Sequence, residues 1–216
     1  MTFLKKQRLP TNSFTKTDTY RKVRLPVDQA STLIPDAYTS DEFFALEQEK
    51  IFSNSWVTVG CLPMVRMQGD ILVTEVAGRS ILVVRSKENK LEAFYNVCRH
   101  RGTKLLNENC NIKSIRCPYH AWVYGLDGKC IGTTMFQNGK NTDSKKIKSY
   151  GDSFDKNDYS LYPISVRCWG FLIFVNLSMG TSNEISEEEV TAGFKEWLGD
   201  LPQIFQSHVL EKWIIS

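Results

Sequence analysis

The chain has 216 residues, of which 42% are hydrophobic and 24% are charged, a composition typical of a globular protein with its own core. The net charge of +3 is too small to indicate a nucleic-acid partner, which normally requires a strongly basic surface. The longest apolar run, residues 169–175, is too short to cross a bilayer, and the basic N-terminus lacks the apolar stretch of a secretory signal. We therefore expect no membrane partner and a cytoplasmic location.

The first 55 residues predict a polar arm followed by a helix. Residues 1–33 are polar and basic with little periodicity, which predicts an extended or partly disordered arm. Residues 34–55 predict an N-terminal helix, because Thr39 and Glu42 have the spacing of a capping box. An amphipathic stripe in this helix is predicted to pack on the core, and it consists of Phe43, Phe44, Leu46, Ile51 and Phe52, with Trp56 after it.

The middle of the chain, residues 56–180, predicts a mainly β, antiparallel domain. Short β-type runs are separated by turn signals, and the short connections favour hairpins over crossover helices. The turn signals are Ala77-Gly78, Glu88-Asn89 and Asp127-Gly128. The polar residues 134–160 predict a long loop with solvated lysines, and residues 161–177 predict a closing pair of strands.

Residues 181–216 predict a closing helix and the start of a connection to a further domain. Ser186 and Glu189 have capping-box spacing, and three acidic residues in the first turn suit the helix dipole. The predicted buried face consists of Val190, Phe194, Trp197, Leu198 and Leu201.

Two mixed pairs of metal-binding residue types dominate the sequence, Cys98-x-His100 and Cys117-x-x-His120, with sixteen residues between His100 and Cys117. They contain two of the three histidines in the chain. In a chain without a secretory signal, cysteines close to histidines indicate metal binding rather than disulfides. The remaining cysteines are predicted as core residues at Cys61, Cys130 and Cys168, and as a loop residue without a role at Cys110.

Three kinds of metal centre use cysteine and histidine. Zinc accepts two of each, but its usual modules pair Cys with Cys and His with His. A covalently attached haem requires a C-x-x-C-H pattern, which this sequence lacks. A [2Fe–2S] cluster with two Cys on one iron and two His on the other needs one thiolate and one imidazole from each of two facing loops. The mixed pairs supply that set, so the sequence favours the iron–sulfur cluster, with zinc as the alternative.

Residues beside the two pairs suit such a cluster. Gly102 permits a tight backbone close to sulfide, and Pro118 stiffens the second loop. Trp122 is predicted to cover the cluster from solvent, and backbone N–H groups of both loops are predicted to donate to sulfur.

The stretch CRHRG…CPYHAWVYGLDG resembles the Rieske domain of the large (α) subunits of aromatic-ring-hydroxylating dioxygenases and of similar choline-monooxygenase-like oxygenases. The resemblance extends over about residues 34–178, including DILVTEVAGRSILVVRSKENKLEAFYNVCRHRG and LYPISVRCWGFLIFVNL. It implies an antiparallel Rieske-type β-sandwich with an N-terminal helix and a C-terminal helix. It also implies that Cys98 and Cys117 ligate one iron of a [2Fe–2S] cluster, and that His100 and His120 ligate the other.

The resemblance also distinguishes between branches of Rieske proteins. Respiratory-type members have an extra cysteine in each ligand loop, at places where this chain has Thr103 and Tyr119. The oxygenase-associated type is therefore favoured. Ala121 stands where many family members have glycine, which we interpret as a tolerated exchange of one small residue for another.

In such oxygenases the Rieske cluster takes single electrons from a ferredoxin or flavin reductase. It passes them to a mononuclear Fe(II), held by two His and one carboxylate in a catalytic domain of the same or a neighbouring subunit of a trimer. Beyond the two pairs this sequence has only His208, interpreted as a surface or packing residue, so these residues alone do not build the second iron site. We therefore predict the Rieske electron-transfer portion of an oxidoreductase, with a free-standing Rieske electron carrier as the alternative.

Overall fold

The computed structural model describes residues 13–87, 89–133, 155–179 and 185–206. His208 and most of the predicted loop at 134–160 lie outside these ranges. The chain divides into two units, Met1–Phe52 and Ser53–Ser216. Among the described residues, no helix has the length and apolar character needed to cross a membrane.

The first unit consists of short helical segments, which are α1 (Thr17–Tyr20), α2 (Asp36–Thr39), α3 (Asp41–Glu47) and a π-helical turn (Gln48–Phe52). Phe14 lies in the predicted polar arm, yet its side chain is buried. Its ring packs edge-on against the ring of Phe43, with the centroids 5.2 Å apart. The middle of the predicted arm is therefore held by an aromatic contact, which polar composition alone does not reveal.

The start of α3 differs from the prediction. Ser40 is its N-cap, with an extended backbone and a hydroxyl oxygen that accepts from the N–H of Phe43 at 3.3 Å. Thr39 belongs to α2, so its backbone is already helical, and the predicted Thr39–Glu42 capping box is wrong. The predicted packed stripe is also only partly formed, because Phe43 is its buried member. The exposed members are Phe44, Ile51 and Phe52.

Within the described part of the second unit, ten strands form two sheets. The strands are β1 (Val57–Cys61), β2 (Asp70–Val76), β3 (Arg79–Arg85), β4 (Leu91–Tyr95), β5 (Cys110–Asn111), β6 (Ile115–Arg116), β7 (Val123–Tyr124), β8 (Cys130–Gly132), β9 (Pro163–Trp169) and β10 (Leu172–Asn176). One sheet has the order β1-β10-β9-β4-β3-β2-β5, and the other has the order β6-β7-β8. Each of these pairings is antiparallel, as the short connections predicted.

Two of the three predicted turns form where the sequence placed them, while Glu88 of the third lies outside the described residues. Ala77 and Gly78 both have positive φ, and they join β2 to β3 in a two-residue hairpin. Asp127-Gly128 lies in the connection between β7 and β8, which also pair as a hairpin. The apolar run 169–175 does not form one strand, because its first residue ends β9 and residues 172–175 belong to β10, most of whose side chains are buried.

Strand β3 is buried on both of its faces. Leu82 and Val84 lie in a core cluster that also contains Cys98 and Cys117. Ile81 and Val83 alternate with them and lie in a second cluster with residues of β2 and β10. The two cysteines of the candidate centre are thus part of one hydrophobic core.

The C-terminal helices are α4 (Glu187–Leu198) and α5 (Leu201–Ile204). The predicted capping box at Ser186 and Glu189 is confirmed, since each side chain accepts from the other residue's backbone N–H. Buried against Trp56 and Phe174 are Val190, Phe194 and Leu198. Trp197 and Leu201, predicted to share that face, are 44% and 36% exposed, so the buried stripe is narrower than predicted.

Three of the cysteines outside the two pairs differ in how well their observed positions match the prediction. Cys130 is buried, as predicted, but Cys168, the second-last residue of β9, is exposed. Cys110, predicted in a loop, forms β5 and pairs opposite Ile71. A strand of two residues has no periodicity that a sequence pattern could reveal.

The turn at Gly128 offers a test of this packing. Gly128 has φ +77°, and an added Cβ would lie 2.4 Å from the ring of Phe94. Gly78 has a similar φ of +69° but open space around it. We expect Gly78→Ala to lower the free energy of unfolding by about 1 kcal/mol through backbone strain alone. Gly128→Ala should lower it by about 2–4 kcal/mol, because overpacking is added. Urea unfolding followed by circular dichroism measures both, and equal losses would show that the Phe94 contact does not form.

Candidate metal centre

The two Cys-His loops are built in the same way. The first follows β4, and its turn closes when the N–H of Gly102 donates to the carbonyl of Cys98 at 2.9 Å. The second connects β6 to β7, and the N–H of Ala121 donates to the carbonyl of Cys117 at 3.0 Å. Each turn thus spans five residues, and each ends on a residue with positive φ, +70° and +55°.

The left-handed conformation of Ala121 corrects the interpretation of that position. A residue with a Cβ adopts this conformation at a cost of about 1–2 kcal/mol relative to glycine. The alanine is accommodated in the turn, but it is not a neutral substitute for glycine. Gly102, at the equivalent place in the first loop, has the tight backbone that the sequence predicted without that strain.

The two loops bring the predicted histidines together. Nδ1 of His100 lies 3.1 Å from Nδ1 of His120, and the ring centroids are 4.7 Å apart. The indole of Trp122 is fully buried and stacks on His100 at 4.8 Å with an angle of 8° between the planes. The exposed ring of Tyr119 lies 3.8 Å from the ring of His120. Trp122 therefore packs against the inner side of His100, and its predicted role of covering the cluster from solvent stays a prediction.

The two predicted thiols lie on the inner side of the same site. Cys98 and Cys117 are each only 2% exposed. The hydroxyl of Tyr124 lies 3.2 Å from Sγ of Cys98 and accepts from the N–H of Arg99 at 3.0 Å. Because the hydroxyl oxygen is already an acceptor, its proton is available to donate to sulfur.

The titration of these groups reflects their burial. Burial raises the pKa of the Cys98 thiol, while hydrogen bonds from Tyr124 and from the backbone N–H of His100 act in the opposite direction. Burial also raises the pKa of Tyr124, which keeps it a protonated donor. The pKa of His100 is lowered, first by burial and then by the charges of His120 and Arg101. A neutral imidazole is the form that binds metal ions.

Asn96 is a positioning residue that the sequence did not reveal. Its side chain is almost fully buried, and its oxygen accepts from the N–H groups of Leu105 and Leu106 at 3.1 and 3.0 Å. Its amide nitrogen donates to the carbonyl of Leu106 at 2.7 Å and to the hydroxyl of Ser80 at 3.1 Å. All its polar capacity is used to fix the return of the first loop. Tyr124 was also missed, because a tyrosine in a short strand carries no signal of contact with sulfur.

The structure also describes Thr103 and Tyr119, the two positions that distinguish the Rieske branches. The carbonyl of Thr103 accepts from the N–H of Cys98 at 2.8 Å, and Tyr119 is exposed.

All six cysteines lie in the described ranges and are free thiols. In those ranges, no group of three or more His, Cys, Asp or Glu surrounds a single point that could hold a metal ion. A [2Fe–2S] cluster of the Rieske type does not require such a group, because each of its irons has only two protein ligands.

Comparison with known proteins agrees with this geometry. Residues 55–150 match the family of the Rieske [2Fe-2S] domain. The carnitine monooxygenase oxygenase subunit of Acinetobacter baumannii is 35% identical over 172 residues, which are 79% of this chain and 42% of that subunit. The glycine betaine monooxygenase oxygenase subunit of Pseudomonas aeruginosa is 32% identical over 154 residues, which are 70% of this chain and 32% of that subunit.

The fold is shared with solved Rieske oxygenases. A quaternary ammonium Rieske monooxygenase, studied for carnitine oxidation by gut microbiota and inter-subunit electron transfer, superposes with a TM-score of 0.59 and 30% identity. The match covers 78% of this chain and 41% of that one, and it confirms the predicted antiparallel Rieske-type β fold. The chain spans less than half the length of each of these relatives. Residues 55–150 are thus a Rieske [2Fe–2S] domain, and the chain is similar to the Rieske-containing portion of Rieske oxygenase α-subunits.

Proposed function

We propose that Cys98, His100, Cys117 and His120 hold the [2Fe–2S] cluster, with the thiolates on one iron and the imidazoles on the other. The observation that carries this proposal is the 3.1 Å separation of the two Nδ1 atoms. Two nitrogens bound to one metal ion at about 2.1 Å each lie about 3.0–3.4 Å apart. The histidine pair is therefore already spaced for a shared metal, and both sulfurs lie buried on the inner side.

The surroundings of the pairs fit an electron-transfer centre. A bound cluster of this type accepts and donates one electron at a time. Tyr124 and the N–H of His100 supply hydrogen bonds to Cys98, and such donors stabilise negative charge on sulfur. Trp122 excludes water from one face of His100. The partly exposed edges of His100 and His120 leave the imidazole side as the route by which electrons enter and leave.

In the whole protein we assign this domain the role of relaying electrons within a Rieske oxygenase. The donor is a ferredoxin or a flavin reductase, and the acceptor is a mononuclear Fe(II) in a catalytic domain of the same or a neighbouring subunit. The sequence has one histidine besides His100 and His120, so we place the two histidine ligands of that iron outside these 216 residues. The family relationship supports this role, as do the relatives' names as oxygenase subunits.

For the substrate, we propose the quaternary ammonium class. The support is that the matched relatives oxidise carnitine or glycine betaine, according to their names. The second candidate function is a free-standing Rieske electron carrier, which the single remaining histidine favours.

Substitution of the ligands tests the cluster assignment. We expect His100→Ala and His120→Ala to remove the visible and electron paramagnetic resonance (EPR) spectra of a Rieske cluster, because each removes one of the two imidazole ligands of the same iron. His208→Ala, which changes the third histidine, should keep both spectra and two irons per chain. For the thiols, Cys117→Ser should lose the cluster and Cys110→Ser should retain it. A colourless wild-type chain that contains zinc would contradict the assignment, as would a Rieske spectrum that survives in His100→Ala.

A chimaera tests the oxygenase role. In it, this chain replaces the matching part of the Acinetobacter baumannii carnitine monooxygenase oxygenase subunit. We expect carnitine-dependent oxygen consumption when a reductase is supplied, and none in the same chimaera with His100→Ala. A chimaera that holds a reducible cluster but shows no carnitine-dependent turnover would favour the free-standing carrier.

A further inference from the structure

A short segment lies across the first ligand loop and is fixed to the sheet at its end. It comprises residues 155–162, which we call the strap, and it begins with a 3₁₀-helix at Lys156–Tyr159. Leu161 is buried, and its N–H donates to the carbonyl of Gly128 at 2.8 Å. The carbonyl of Tyr162 accepts from the N–H of Tyr95 at 3.1 Å. The strap therefore has a defined position over the core that contains Cys98 and Cys117.

Arg99 joins the first ligand loop to the strap. Its guanidinium donates to the carbonyl of Ser160 at 2.7 Å and to that of Asp158 at 3.3 Å. The same group lies over the ring of Tyr162, with its central carbon 3.7 Å from the ring centroid. These contacts use the planar fork and face of arginine, which the point charge of lysine does not reproduce.

The other side of the strap reaches the histidine pair. Tyr159 packs edge-on against the indole of Trp122, with the centroids 5.5 Å apart and the planes at 81°. Trp122 in turn stacks on the imidazole of His100. The contacts close a ring that runs from Arg99 through the strap and two aromatic side chains to His100, the next residue in the chain.

We propose that Arg99 is a positioning residue for His100, acting through the strap. By holding the carbonyls on either side of Tyr159, it keeps the stack of Tyr159 and Trp122 against the imidazole. That stack fixes the ring orientation in which Nδ1 faces Nδ1 of His120. The inference rests on the proposed function, because it assumes that His100 is an iron ligand.

The expected effect is on the retention and the electronic structure of the cluster. Without the fork of Arg99, the strap loses two charge-assisted hydrogen bonds, and the aromatic stack loses its support. The imidazole then gains rotational freedom, and water gains access to the iron that it binds. Lysine keeps the charge but loses the fork, so Arg99→Lys should behave like Arg99→Gln.

The test compares cluster release from wild type, Arg99→Lys, Arg99→Gln and Tyr159→Leu. Release is followed as bleaching of the visible spectrum by an iron chelator, and each reduced protein is also examined by EPR. We expect roughly tenfold faster bleaching and a shifted or broadened EPR spectrum in all three variants. The double variant Arg99→Lys/Tyr159→Leu should bleach no faster than the faster single variant, because both changes break the same ring of contacts.

Arg167 offers a matched control in the same unit. Its guanidinium also donates to a backbone carbonyl, that of Val166 in β9. It further bonds two side chains of α4, the hydroxyl of Thr191 and the carboxylate of Glu187, so its contacts lie away from the strap. Arg167→Lys should retain the wild-type bleaching rate and EPR spectrum. Tyr159→Leu breaks the same ring of contacts at the strap. It therefore tests the positioning role even if the Arg99 variants do not accumulate.

The outcomes separate this inference from the proposed function. A wild-type chain without a Rieske spectrum overturns the proposed function itself. A wild-type spectrum with unchanged bleaching and EPR in Arg99→Lys and Tyr159→Leu overturns the positioning role alone. That role is also overturned if Arg99→Gln bleaches fast while Arg99→Lys matches wild type, since the charge and not the fork would then matter. Equal acceleration by Arg167→Lys would attribute the effect to general loss of stability.

Discussion

The 3.1 Å approach of the two histidine Nδ1 atoms is the constraint on which the rest of this domain depends. His100 and His120 come from loops that follow different strands, so both loops must be fixed before the pair can form. Each loop is closed by a hydrogen bond between the first and fifth residues of its turn and ends on a left-handed residue, Gly102 or Ala121. Asn96 then uses all of its hydrogen-bonding capacity to set the return of the first loop. The sheets provide a frame for two rigid turns.

The site has two unlike sides, and that asymmetry determines what it can do. The thiols of Cys98 and Cys117 lie in a hydrophobic core, where burial raises the pKa of Cys98 and disfavours a free thiolate. Binding of metal offsets this penalty, so cluster assembly and folding are expected to be coupled. The imidazoles lie at the surface, beside the exposed ring of Tyr119. In the proposed electron-transfer role, the histidines would therefore provide the short path between the cluster and a partner.

The sequence predicted the type of metal centre better than it predicted the helix cap and the long-range contacts that support the ligand loops. The two Cys-His pairs are informative because both residue type and spacing are local, and the hairpin at Ala77-Gly78 is informative for the same reason. The cap of α3 was placed one residue early, since Thr39 belongs to the preceding helical turn. The contacts of Tyr124 and the strap join residues 25 to 61 positions apart, and no local pattern encodes them.

The most direct test of this account is a Mössbauer spectrum of the wild-type chain enriched in ⁵⁷Fe, combined with its iron content. If two cysteines hold one iron and two histidines hold the other, the oxidised protein contains two irons per chain in distinct environments of equal population. The spectrum should then resolve two doublets of equal area. One doublet from two equivalent irons, or a chain that binds no iron, would contradict the assignment of Cys98, His100, Cys117 and His120.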